Sequence, residues 1–97
     1  MYMKKPREAL RSYEEGLRAS QALQAHDPHH PQFRLNLAKS QNGVGDAESA
    51  LGHKGQSCAA WRAAFLVYNQ MDRDGQLRPN ERPAVEELQL RVANCAP

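Results

Sequence analysis

Two stretches of this chain carry the same helical pattern at a fixed interval. Ala9-Leu10-x-x-Tyr13-x-x-Gly16-Leu17 returns as Ser57-Cys58-x-x-Trp61-x-x-Ala64-Phe65. Each copy sets small or apolar residues, then an aromatic, then a small residue and an apolar one. Steps of three and four residues place these on one face of a helix. Small residues in that face let a neighbouring helix come close. A helical face repeated at a fixed period implies stacked repeats, which bury a core only against their neighbours and usually serve binding.

Four helical patterns follow from the breaks. The first covers residues 6–25, with Ala9, Tyr13, Gly16, Ser20 and Leu23 on its stripe and Pro6 suited to a first turn. His26-Asp27-Pro28-His29-His30-Pro31 ends it. The second covers residues 31–51, with Phe33, Leu37, Val44, Ala47 and Leu51. Gly43 and Gly45 lie inside it, each costing roughly 1 kcal/mol against alanine, so another backbone is expected close by. Gly52-His53-Lys54-Gly55 closes it. The third covers residues 56–71, with Cys58, Trp61, Phe65 and Tyr68 as a heavy stripe. Gly75 follows as a left-handed terminator. The fourth covers residues 82–94, with Val85, Leu88, Val92 and Cys95, Asn80 as N-cap and Pro83 in the first turn. Four valines are the only β-branched residues and no polar–apolar alternation is sustained, so the fold class is all-α.

Composition narrows the function classes. Ninety-seven residues allow one small domain, and 40% apolar content makes a thin core. Thirteen basic and 11 acidic residues are interspersed, giving +2 with no basic stripe, so no nucleic acid is expected. The longest apolar run, Ala63 to Tyr68, is far too short for a membrane span. Met1 to Pro6 lacks the apolar segment of a secretion signal. Cys58 and Cys95 have no metal-ligand spacing. These features lead to an expectation of a cytoplasmic protein with reduced thiols, both packed as small core residues.

The register of these positions resembles the tetratricopeptide repeat family. The family's first-helix signature falls on Gln41, Val44, Gly45 and Glu48. Its second-helix pair falls on Ser57 and Trp61, and its inter-helix glycine on Gly52. Ala9 and Tyr13 supply the preceding second helix. Gln41 and Glu48 replace two aromatics, and Ser57 replaces an alanine. The interval exceeds the ~34-residue unit by about 14 residues around Asp27-Pro28, which would lengthen each helix by about two turns. Asp27-Pro28 and Asn42-Gly43-Val44-Gly45-Asp46 are similar to a long bacterial variant of the repeat. Gly75, Leu77, Pro79 and the fourth helix are similar to its C-terminal unit. The resemblance implies antiparallel helical hairpins stacked as a solenoid, forming one module over residues 1–97.

Rival chemistries are weaker. Residues 70–81 resemble a calcium loop, with Asp72, Asp74, Gly75, Leu77 and Glu81 in register. Gln70 stands where an aspartate is needed, no second loop exists, and a helix cap explains the same residues. His26, His29 and His30 lie beside Asp27, but histidines flanked by prolines in a turn are usually solvated. Gly52-His53-Lys54-Gly55-Gln56-Ser57 lacks the spacing and preceding strand of a phosphate loop. No carboxylate pair or nucleophile–base set stands out, and no cofactor is expected.

The expected function is a non-catalytic scaffold that binds a peptide or helix of a partner protein. The resemblance places Lys39, Asn42, Asp46 and Ser49 on the groove side of the second helix, where they would hydrogen-bond a docked chain. The first helix lacks a partner helix of its own, so a homodimer or higher oligomer is expected, with Tyr13 and Leu17 contributing. The alternative is a calcium- or metal-responsive regulator acting through residues 70–81.

Overall fold

The computed structural model describes residues 5–95, and these are all-helical with no strand. Helix α1 spans Pro6–His26, α2 Pro31–Ala50, α3 Lys54–Arg73 and α4 Arg82–Ala93. A short 3₁₀ turn, Pro79–Glu81, leads into α4. The expected helices are therefore present, with α3 two residues longer at each end. Asn80 does not cap α4; it lies in the 3₁₀ turn, and Glu81 takes the cap position without a side-chain hydrogen bond.

Local chemistry sets the boundaries. Pro6 and Pro31 occupy first-turn positions, where the missing N–H would have no helical partner. His30 caps α2 by accepting from the Gln32 N–H at 3.2 Å, and its ring stacks on Phe33 at 3.9 Å. Gly52 (φ +80°) and Gly75 (φ +71°) take left-handed conformations after α2 and α3, which side chains with a Cβ rarely tolerate. The connections after α1 and α2 are short, so the chain doubles back twice.

Helix α2 lies between α1 and α3, and α4 packs mainly on α3. The core is one cluster: Leu35, Leu37 and Ala38 from α2, Ala64, Val67, Tyr68 and Met71 from α3, and Leu88 from α4. Leu17, Trp61, Phe65, Leu77, Val85 and Val92 pack around it. Burial raises the pKa of the Tyr68 hydroxyl, and the nearby Glu81 carboxylate raises it further.

The repeated pattern acquires a physical meaning at the two glycines inside α2. An added Cβ at Gly43 would fall into the Tyr13 ring, 2.7 Å from Cγ. One at Gly45 would fall into the Trp61 ring, 2.9 Å from Cγ. The close neighbours are thus aromatic rings, not the backbone expected from the sequence. Tyr13 and Trp61, the matching aromatics of the two copies, grip α2 from α1 and from α3. Residues two apart on a helix point about 200° apart, so one glycine faces each neighbour.

Arg34 was not anticipated as a core residue. Its side chain is 8% exposed, and each of its three nitrogens has a partner. Nε donates to the Pro28 carbonyl at 3.0 Å, and Nη1 donates to Asp74 Oδ2 at 2.6 Å and to Gln76 Oε1 at 2.9 Å. Nη2 lies 3.0 Å from His29 Nδ1, and Gln76 Nε2 donates to the His29 carbonyl at 2.9 Å. This guanidinium ties the α1–α2 turn to the segment after α3, and such charge-assisted bonds are the strong ones.

The cysteines also depart from expectation. Cys58 and Cys95 are joined in a disulfide, with Cα atoms 5.8 Å apart, so they are not reduced thiols. The bond links the beginning of α3 to the residues just after α4. No helix among the described residues is long and apolar enough to cross a membrane.

Candidate functional site

The sequence singles out Lys39, Asn42, Asp46 and Ser49 as a binding row. Their three- and four-residue spacing puts them along one face of α2. Two of the four are engaged by the last part of the chain. Lys39 Nζ lies 3.9 Å from Glu81 Oε2. Asp46 Oδ1 accepts from Trp61 Nε1 at 3.0 Å and sits 3.2 Å from an Arg91 nitrogen.

Asn42 stands between them, half-buried. Its Oδ1 is shielded from solvent and has no hydrogen-bond partner among the described residues, as is true of Gln41 Oε1. A buried polar atom without a partner costs about 1–3 kcal/mol, so this amide has an unmet demand in the middle of the row. Ser49 is exposed and opens onto a cleft of about 220 Å³.

That cleft is built by three helices. Ser49 comes from α2, Lys54 and Trp61 from α3, and Arg91 from α4, with the disulfide along one wall. The Arg91 guanidinium stands over the Trp61 ring, 5.6 Å from its centre, and pairs with Glu87 at 2.6 Å. Trp61 is thereby contacted by Gly45 and Arg91 at its ring and by Asp46 at its N–H. Arg62 donates to the Cys95 carbonyl at 3.0 Å, and His53 pairs with Glu48 at 2.8 Å. The cleft offers an apolar ring, two cations and a hydroxyl.

The other sequence candidates fall elsewhere. Leu17 faces the core, and Tyr13 lays its ring over Gly43 while keeping 42% of its surface exposed. In the loop over residues 70–81, Gln70 and Met71 belong to the last turns of α3. Asp72 pairs with Arg82 at 2.9 Å, Asp74 with Arg34, and Glu81 approaches Lys39. The hydrogen bond from Arg34 holds the Asp74 carboxyl below the usual carboxylate range. His29 and His30 are occupied by Arg34 and by the cap of α2. No group of three or more metal-binding side chains assembles among the described residues.

Arg91 is the site residue that sequence reasoning missed, because an arginine on a helix surface reads as a solvated charge. Comparison of the chain with protein-family models, with curated proteins and with solved structures finds no match.

Proposed function

We propose that the chain is a non-catalytic protein-interaction module of tetratricopeptide-like hairpins, binding a peptide or helix of a partner protein along α2. The observation that carries this reading is the row Lys39–Asn42–Asp46–Ser49 running into the cleft beside Trp61, Lys54 and Arg91. Docked chains are commonly fixed by alternating apolar anchorage and polar contacts to their backbone, and this surface offers both. A calcium-responsive function has less in its favour, since Asp72 and Asp74 are committed to arginines. Self-association through the exposed part of Tyr13, and a cytoplasmic setting in which the disulfide forms and opens, belong to the same proposal.

Selection of a random-peptide display library on the immobilised chain tests the binding reading. Enriched peptides should lose binding when Asn42→Arg or Ser49→Arg blocks the row, and keep it when an exposed α1 residue such as Arg18 is changed to Ala. Failure to enrich any peptide, or binding indifferent to both row substitutions, would refute it. Light scattering tests the assembly: a strictly monomeric chain at high micromolar concentration rejects self-association.

A further inference from the structure

We infer that the Cys58–Cys95 disulfide is a reversible clasp on α4, and that opening it frees the binding row of α2 from the opposite charges beside it. The regulatory half of this inference rests on the proposed function; the mechanical half rests on the structure alone.

Helix α4 is the shortest of the four and is lightly held. It is 12 residues long and contributes one fully buried side chain, Leu88. Val85 and Val92 pack around the core only in part, and Leu90 is 67% exposed. Its polar attachments are few: Arg82 to Asp72 at one end, and Arg91 to Asp46 and the Trp61 ring towards the other. Exposed ion pairs of this kind are worth little individually. The disulfide and the Arg62 bond to the Cys95 carbonyl secure the C-terminal end. A short helix with one deep anchor and a covalent tie depends on the tie for its local stability.

The same helix holds the row in check. Arg91 neutralises Asp46, and Glu81, just before α4, faces Lys39. When α4 loosens, Lys39 and Asp46 lose the opposite charges beside them, Asp46 keeping only the Trp61 N–H, and Trp61 loses the guanidinium above it. The bond is also within reach of a reagent. Both cysteines line the open cleft, and Cys95 is the more exposed of the two.

The chemistry balances with a dithiol reductant. One thiolate of the reductant attacks the Cys95 sulfur, the Cys58 sulfur leaves as a thiolate, and a mixed disulfide forms. The reductant's second thiol then displaces Cys95. Two electrons and two protons pass to the protein, giving two thiols, and the reductant becomes a cyclic disulfide.

Hydrogen exchange and NMR on the full chain, oxidised or treated with dithiothreitol, test the clasp. Alkylation of both cysteines after treatment verifies that reduction is complete. In the reduced chain the amides of residues 82–93 should exchange at least ~10-fold faster, while the central amides of α2 and α3 keep their protection. The single indole N–H signal, from Trp61, should shift and exchange faster with water as its Asp46 geometry relaxes. Cys58→Ser/Cys95→Ser should behave as the reduced chain without any reductant. Unchanged protection of α4 with both thiols alkylated overturns the inference. So does loss of protection throughout α2 and α3, which would make the bond a global staple. Neither readout involves a partner, so failure of the peptide selection would leave the mechanical result standing.

Discussion

Substituting Gly45 by Ala gives the structure a test whose sign is decisive. In an ordinary helix interior this change stabilises by about 1 kcal/mol, because glycine is the poorer helix former. Here the new Cβ would sit 2.9 Å from Trp61 Cγ and closer still to Cδ1 and Nε1. Carbon atoms rest about 3.5–4.0 Å apart, so the indole must retreat by roughly 1 Å. Overpacking of this kind costs about 1–3 kcal/mol. Displacing the indole also gives up its 3.0 Å bond to Asp46, worth about 1 kcal/mol at most since both groups reach water. Against the propensity gain, the net result is a loss of about 0–3 kcal/mol, centred near ~1.5 kcal/mol. In a domain of this size that central value lowers the Tm by about 5–12 °C, read by thermal unfolding in far-ultraviolet circular dichroism. Gly43→Ala should cost less, because the half-exposed Tyr13 ring can swing outward. In a Trp61→Leu background the steric obstacle shrinks, and Gly45→Ala should become neutral or stabilising. A wild-type background in which Gly45→Ala raises the Tm would refute the placement of the ring on the glycine.

Arg34→Met should destabilise the chain by about 2–3 kcal/mol in urea unfolding, since it leaves several polar partners unmatched while Asp74 is partly relieved by water. An effect under about 0.5 kcal/mol would mean that the network is ornamental. Acid sensitivity should report the same pair. The folded-state pKa of Asp74 is depressed, first by its hydrogen bond from Arg34, so its contribution is complete above the unfolded value near ~3.9 and is lost as pH falls through the folded value. The Tm difference between the wild type and Asp74→Asn should therefore shrink on acidification below about pH 4, and a difference constant across that range would contradict it.

Helix boundaries were legible because prolines and glycines act through local sterics. Pro31, Gly52 and Gly75 each do in the structure what their backbone chemistry demands. The role of Gly43 and Gly45 was half legible. A costly glycine inside a helix signals close approach, but the approaching group comes from elsewhere in the chain, and propensity carries no information about it. The third helix gained two residues at each end because Lys54, Gly55, Asp72 and Arg73 extend a helix once neighbouring turns are packed. Arg34 was invisible for a related reason: its partners Asp74 and Gln76 are 40 and 42 positions away. The cysteines lay on stripes that allowed a meeting, yet a pair of thiols 37 residues apart has no spacing signature. The row on α2 could be named from register. Its engagement by Arg91 and Glu81 could not, because that depends on where α4 comes to rest.

The angular layout of α2 explains why the row lies between its two packed faces. At about 100° per residue, Gly43 and Gly45 divide the helix circumference into sectors of roughly 160° and 200°. Lys39, Asn42, Asp46 and Ser49 all project into the smaller sector, centred about midway between the glycines. Leu35 projects into it too, one turn before Lys39, and there the sector is closed: Leu35 is buried in the same core cluster as Met71. Beyond Leu35 the row is exposed at Lys39, half-buried at Asn42, and exposed again at Asp46 and Ser49. The sector is thus covered at Leu35, partly covered at Asn42 and open at the Ser49 end. The open end is bordered by Lys54, Trp61 and Arg91, and by the disulfide. The open end of the proposed binding row is therefore also where α4 is fastened. Under the proposed function, a docked chain and the attachment of α4 would compete for one set of contacts, centred on Asp46.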